Sequence, residues 1–462
     1  MAMTTVESPT ASKPKDPTVP ISTPCDPWPR PYFFENGLRK VAPYHFTYNT
    51  WCKERWRNRG LLEIFSSEFR DRPLEYYRYA LETGHVTVNN KVVSTPNDTV
   101  KNGDVISHTL HRHEPPVSAQ AIGIIHEDDD IIVINKPGGI PVHPAGRYNY
   151  NCVVEIIRAE RSYDFKALPC NRLDRLTSGL MFIGKHPKAA DKMSKSLKDR
   201  TVLKEYVACV AGEFPEGEVV CEKPILQISP KLGLNRVRAD GKSAKTVFRR
   251  LAYYPPSPSE TEENSDDSST SPSVHDDGMP WKRHKGYSIV RCLPLTGRTH
   301  QLRVHLQFLG HPIANDPIYA NQRVFGPSLG ADDDSASNDD DIISRLDRMG
   351  KQEVAEAVAY HDEVVDRYQK QKAERLTGEM CDVCHAPLYS DPGSHELGIW
   401  LHARKYACSN GKWSYESPLP DWALPPAGVE GPKDATDDTD PLTSEVAKLT
   451  LEKEAQKENA KA

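Results

Sequence analysis

Nowhere does this chain of 462 residues stay apolar for the length that a bilayer crossing needs, and its mean hydropathy of -0.62 agrees, so a membrane-spanning reading is excluded. Arginine is missing until Arg30. The Ser/Thr/Pro-rich start MAMTTVESPTASKPKDPTVP already carries Glu7 and Asp16, which argues against a mitochondrial presequence and for a disordered tail over 1–27. Regular cysteine spacing is missing too. Ten cysteines are scattered without a signal-peptide pattern, so reduced intracellular thiols are expected rather than a disulfide framework. Cytoplasm or nucleus is the expected compartment, with the mitochondrion left open. No heptad seam is visible, and a monomer is expected.

Basic charge is also in short supply, with a formal net charge of -6, which would disfavour a nucleic-acid partner if the acids were evenly spread. They are not. Residues 256–280 hold seven acids and no Lys or Arg, and ADDDSASNDDD at 331–341 holds six more. Setting those thirteen acids aside turns -6 into +7, a balance that suits a phosphate-binding surface.

Composition divides what remains. Residues 28–61 interleave aromatics with arginines (WPRPYFFENG, WCKERWRNRG) and read as an ordered extension packed on a domain, with stacking on bases as the alternative. From Leu62 a helical pattern, LLEIFSSEFRDRPLEYYRYALETG, gives way to a hairpin with an Asn-Asn turn, HVTVNNKVV, and to a closing strand after KNGDVIS. This unit, 62–115, resembles the alpha-L RNA-binding fold. Residues 116–330 alternate strands (DDIIVINKP, SGLMFIGK, KEYVACVAGEF, SAKTVFRRLAYY, YSIVRCLPL, THQLRVHLQFLG) with helices such as AADKMSKSLKDR, predicting an α+β domain around a mixed or antiparallel sheet. The acidic stretch 255–280 reads as a disordered insertion and 331–342 as an acidic linker. A helical and Cys/His-containing extension over 343–425 and a disordered tail over 426–462 complete the chain.

Within NRLDRLTSG, Asp174 stands between Arg172 and Arg175, anchored by an apolar neighbour and followed by a Thr-Ser-Gly turn into a strand. A nearby guanidinium would keep such a carboxylate ionised. Taken alone, the pattern fits an ion pair tying down a turn far better than it fits catalysis. Its company shifts the balance: INKPGGIPVHPAG upstream, LKEYVACV with Tyr206, and LPLTGRTHQLRVHLQFLGHPIANDPIY about 120 residues later.

These four blocks, in this order, resemble the RluA family of pseudouridine synthases over roughly residues 62–320, and the sequence around RLDRLTSG resembles the eukaryotic tRNA-directed branch. The resemblance implies that Asp174 is a nucleophile that detaches uracil from its ribose and allows it to reattach through carbon. It implies that Arg298 pairs with Asp174, that Tyr206 stacks on the base and that Leu302 touches its other side. Lys136, His143, Arg172, Arg175 and Thr177 are the candidate substrate and RNA contacts. The family usually has His where this chain has Asn171. A tRNA anticodon stem-loop is the expected substrate, because a loop base costs less to flip. No cofactor is expected.

Two other readings compete. A non-catalytic RNA-binding or chaperone protein on the same scaffold would predict loss of Asp174, which is present. A zinc nucleobase deaminase would use His361, Glu363, Cys381 and Cys384, but Met380 stands where such a site has proline. A structural zinc would draw on Cys381, Cys384, His395, His402 and Cys408, although their spacing fits no standard pair of pairs.

Overall fold

The computed structural model describes residues 27–68, 74–93, 95–230, 232–256, 286–348, 376–384, 386–426, 428, 429 and 431. All but the last residue of the expected tail 1–27, most of the expected insertion 255–280, residues 349–375 of the expected C-terminal extension and most of the expected tail 426–462 lie outside the described residues. So do His361 and Glu363 of the deaminase reading. Among the described residues no helix is long and apolar enough to cross a membrane.

The chain forms two units. One comprises residues up to Phe33, Val41–Glu114 and Cys381–Ala386; the other comprises Phe34–Lys40, Pro115–Met380 and Pro387 onward. The first contains β1 (Tyr44–Trp51), α1 (Leu61–Glu68), α2 (Leu74–Glu82), β2 (Val86–Val88), β3 (Lys91–Val92) and β4 (Val105–Arg112), with sheet order β1-β4-β2-β3. Leu61, Ile64 and Phe65 recur at helical spacing and are buried with Tyr77, Ala80 and Leu81 of α2. Asn89 and Asn90 both take positive φ, 51° and 63°, as a two-residue hairpin turn requires. Asp104 of the Asn-Gly-Asp stretch accepts from Lys101 N at 2.7 Å and from Asn89 Nδ2 at 2.8 Å, closing the loop that feeds β4. The aromatic extension contributes more than a packed arm, since it supplies β1 itself and the fully buried Trp56.

The second unit is built on a ten-stranded sheet. Its strands are β5 (Gly123–Glu127), β6 (Ile131–Lys136), β7 (Leu168–Pro169), β8 (Ser178–Gly184), β9 (Val202–Ala211), β10 (Glu218–Cys221), β13 (Thr246–Tyr254), β14 (Tyr287–Pro294), β15 (Leu401–Cys408) and β16 (Ser414–Glu416). The order is β10-β13-β14-β9-β15-β8-β6-β5, with β7 on β8 and β16 on β15. A separate ribbon pairs β11 (Ile225–Ser229) with β12 (Leu234–Val237). Helices α3 (Val153–Arg161), α4 (Pro187–Lys198) and α5 (Gln301–Phe308) accompany the sheet. Most pairings are antiparallel, but β8 runs parallel to β15, and the class is α+β. Strands β6 and β8 are almost wholly buried, as their unbroken apolar runs dictate.

Two expectations are corrected. THQLRVHLQFLG, read as a strand, is helix α5 from Gln301, with all eight residues buried. The acidic run 331–341, read as a linker, is held in place: Asp333 Oδ2 accepts from Arg236 Nη2 at 2.9 Å and Asp339 Oδ2 from Arg238 Nε at 3.0 Å, both arginines being 2% exposed. Buried guanidiniums need carboxylates, and this run supplies them.

Candidate active site

Asp174 occupies the loop between β7 and β8. Buried Leu173 anchors it, and its carbonyl accepts from Thr177 N at 3.1 Å, closing a turn that leads straight into β8. About a third of its side-chain surface, 35%, stays open. The other side faces α5, where Oδ2 receives Arg303 Nη1 at 3.2 Å and lies 3.5 Å from His300 Nε2.

Arg303 is fixed before any substrate arrives. It binds Asp316 through two nitrogens, Nε to Oδ2 at 2.6 Å and Nη2 to Oδ1 at 2.8 Å, and its guanidinium carbon stands 5.0 Å from the centre of the Tyr319 ring. Asp316 is fully buried and also accepts the backbone N–H groups of Ile318 and Tyr319 at 3.0 Å each. Two charge-assisted bonds in one plane leave a single guanidinium nitrogen aimed at Asp174.

Burial pushes the Asp174 carboxyl up, but its positive neighbours overcome that and hold it below the usual carboxylate range. Burial and the charge of Arg303 push His300 down to about 4, so at neutral pH this imidazole is uncharged. With His300 uncharged at neutral pH, the charges that keep Asp174 ionised there are those of Arg303, which also bonds it, and of Arg172. His300 also holds φ 57°, a left-handed conformation costly for a residue with a Cβ, at the entry to α5; its Nδ1 lies 2.9 Å from Tyr319 Oη.

Tyr206 lies in β9 at a bulge against β15, an irregularity that re-aims a side chain. Its hydroxyl is 2.8 Å from that of Tyr406, burial pushes its pKa up to about 12, and the charge of Asp174 adds to the shift. It remains a protonated phenol within the electrostatic reach of the carboxylate.

Two of the other expected residues, Arg298 and Lys136, are engaged elsewhere. Arg298 does not meet Asp174; its Nε donates to Ser243 O at 2.9 Å, and Arg303 holds the position expected of it. Lys136, expected at a phosphate, is fully buried and donates to the carbonyls of Pro137, Ile140 and Arg175 at 2.8, 2.9 and 3.2 Å. Burial and the charge of Arg175 push it down to about 7, while its three acceptors favour the ammonium form. It cannot reach RNA, because all three donors clamp the backbone beneath the Asp174 loop. Arg172 and His143 are exposed, Arg175 lies half-buried 5.8 Å from the Tyr148 ring, and Thr177 is buried at the foot of β8. Leu302 packs in the main core with only 6% exposure. Asn171 turns toward the sheet, its Oδ1 accepting from Phe182 N at 3.0 Å.

The expected zinc set does not form. His402 faces Ser178 Oγ at 2.8 Å through Nδ1 and Ser417 Oγ at 2.7 Å through Nε2, and Cys408 ends the same strand, β15. Among the described residues, His395, His402 and Cys408 join no metal-binding cluster.

Residues 130–308 match the family model for RNA pseudouridylate synthase. The tRNA pseudouridine(32) synthase, mitochondrial, of Saccharomyces cerevisiae is 45% identical over 401 residues, covering 84% of this chain and 78% of that protein. The chain belongs to the RluA family of pseudouridine synthases. The tRNA pseudouridine(31) synthase of the same yeast is 31% identical over 85% of this chain and 96% of its own length. Pseudouridylate synthase RPUSD2 of Mus musculus is 37% identical over 85% and 72%. As a member of that family the chain is an isomerase that makes pseudouridine in RNA.

His300, Arg303, Asp316, Tyr319 and Tyr406 escaped the sequence reading as site residues. All but Tyr406 lie in the block LPLTGRTHQLRVHLQFLGHPIANDPIY, but choosing between its two arginines, Arg298 and Arg303, requires knowing that the segment from Gln301 is helical.

Proposed function

We propose that this pseudouridine synthase acts on a uridine in a tRNA stem-loop, with Asp174 as the nucleophile. The observation that carries the reading is an ionised, partly open carboxylate held by an arginine that a second, buried carboxylate has already fixed. The reaction breaks the bond from N1 to C1′, forms one from C5 to C1′ and transfers a hydrogen from C5 to N1, so no water is consumed. One carboxylate suffices, provided that the displaced uracil is kept in place.

Each group then has a task. Arg303 keeps Asp174 charged and aimed, Tyr206 offers a ring face and a protonated hydroxyl to the base, and Leu302 supplies an apolar contact. A uridine must leave its stack to reach a carboxylate at this depth, which favours a loop over a duplex. Exposed Arg172 and His143, with Arg175, are suited to phosphates around the flipped nucleotide, and the first unit, with its resemblance to the alpha-L fold, is suited to bind RNA in its own right. The named yeast relatives act on tRNA by their names, which supports the substrate class. Every group invoked comes from one chain, so a monomer is sufficient.

The test is to incubate wild-type and Asp174→Asn proteins with bulk tRNA and map pseudouridine by carbodiimide-dependent reverse-transcription stops. Stops made by wild type alone are expected. Stops made equally by both would remove the nucleophile assignment. None on tRNA, with stops on rRNA or mRNA, would replace the substrate class.

A further inference from the structure

A second constellation lies in the first unit, and uridine isomerisation has no use for it. Strand β4 ends at Arg112, and His111 and His113 stand two residues apart on this extended chain, an interval that returns side chains to one face. Their rings are 4.9 Å apart between centroids. Cys381 and Cys384 reach them from 270 residues further along the sequence. Cys381 Sγ lies 3.4 Å from His111 Nδ1, and Cys384 Sγ lies 3.3 Å from His113 Nε2. All four donor atoms fall within 4.8 Å of one another.

Those separations have a chemical meaning. A tetrahedral zinc with sulfur at about 2.3 Å and nitrogen at about 2.0–2.1 Å puts neighbouring S and N atoms roughly 3.5 Å apart. The two observed S···N distances are edges of such a tetrahedron. The turn carrying the cysteines is arranged like a ligand loop, since Val383 N donates to Cys381 Sγ at 3.4 Å and Cys381 N to Ala386 O at 2.9 Å. A backbone N–H on a thiolate sulfur stabilises its charge and orients it, as outer-shell partners of a metal do. Apolar burial at this turn is limited to Cys381 and Ala386, each 8% exposed, while Met380 and Val383, beside and within it, are 52% and 58% exposed.

We infer that His111, His113, Cys381 and Cys384 bind one zinc ion in a closed Cys2His2 shell. Two thiolates and two imidazoles suit zinc over the hard, oxygen-seeking cations. Four protein ligands leave no open position for water, so the site is structural. The ion ties residues 381–386 to the end of β4 and closes a very long chain loop within the first unit. Binding converts two thiols to thiolates and releases two protons; no oxidant is involved. The site stands independently of the reaction assigned to Asp174.

The test uses the full chain purified under reducing conditions without chelator. Elemental analysis should find one zinc per chain. Exchange with cobalt(II) should give the intense visible absorption of a tetrahedral site, with thiolate charge-transfer bands. Cys384→His should keep one metal and lose about half of the thiolate charge transfer, whereas Cys408→Ser should change neither. No stoichiometric zinc and no tetrahedral cobalt spectrum in the wild-type protein would overturn the proposal. So would an unchanged cobalt spectrum in Cys384→His, or loss of the metal in Cys408→Ser.

Discussion

Arg303 meets Asp174 through one guanidinium nitrogen, Nη1 at 3.2 Å, while its Nε and Nη2 are committed to Asp316. The pairing carboxylate is buried and Asp174 about one-third open, so the guanidinium's position does not depend on substrate. Arg303→Met should therefore act twice. Stranding the Asp316 charge in the interior should cost about 3–5 kcal/mol of stability, and turnover should fall to background. Arg303→Lys keeps a charge but not the planar fork, and should lose turnover by at least about tenfold with a smaller stability loss. Arg298→Ala removes one exposed bond to a carbonyl and should leave kcat within about twofold. Single-turnover assays paired with urea melts separate these outcomes, and an inactive but stable Arg298→Ala would reverse the assignment.

Asp174→Asn exchanges the carboxylate proposed as the nucleophile for an amide of the same shape. Arg303 retains Asp316, and Asp174 is partly solvated, so stability should change by no more than about 1 kcal/mol. RNA affinity, measured by filter binding, should stay within about threefold, and isomerisation should vanish. Loss of binding in step with activity would mean that the residue serves recognition instead.

Lys136 acts on the site from beneath. Its ammonium joins the carbonyls of Pro137, Ile140 and Arg175, and the last of these adjoins Asp174. Lys136→Met fills the same space without a donor and leaves three acceptors unmet, for a cost of about 2–4 kcal/mol. If Lys136 positions the loop, kcat should drop while KM for tRNA stays level. A rise in KM alone would restore the phosphate contact that its burial argues against.

The sheet was legible because strands β6, β8, β9, β13 and β14 are apolar runs bounded by turn residues. Helix α5 was not. Leu302, Val304, Leu306 and Phe308 alternate with Gln301, Arg303, His305 and Gln307, which is the period of a strand. The helix tolerates that pattern because it is buried all round and its polar residues are satisfied inside. Gln301 reaches Lys245 O at 2.9 Å, His305 lies 2.9 Å from both Thr246 Oγ1 and Lys223 O, and Gln307 reaches Leu329 O at 2.8 Å. Misreading the helix misplaced the arginine, since the choice between Arg298 and Arg303 turns on which of them faces Asp174. His111 and His113 were missed for another reason: two histidines alternating on a strand carry no metal signal until the fold brings two cysteines to them.

Gly179 marks where the Asp174 loop enters the sheet. It holds φ +110°, and a Cβ there would come within 2.3 Å of Ala403 O, in the parallel register of β8 and β15. Gly179→Ala is strained in both backbone and contact, and should destabilise the second unit by more than about 2 kcal/mol. Hydrogen exchange should show lost protection around Ser178 and Ala403. Unchanged protection there would rule out the close approach.

Acidification should separate stability from ionisation of Asp174. Burial pushes His300, His305 and His402 down to about 4 each, below the 6.5 of a free imidazole. Between those values the unfolded chain binds more protons than the folded one, so stability rises with pH. The contribution is fully present above about 6.5 and is lost as pH falls toward 4, at up to about 1.4 kcal/mol per pH unit for each histidine. Asp174, held below the usual carboxylate value, stays ionised throughout that window. Denaturant midpoints should therefore fall steadily from pH 6.5 to 4.5, while kcat of the protein that remains folded stays level apart from any step set by substrate. A loss of kcat as pH falls through 6 with an unchanged midpoint would show that a group titrating there must be neutral for the reaction, and His300, pushed down to about 4, is not that group.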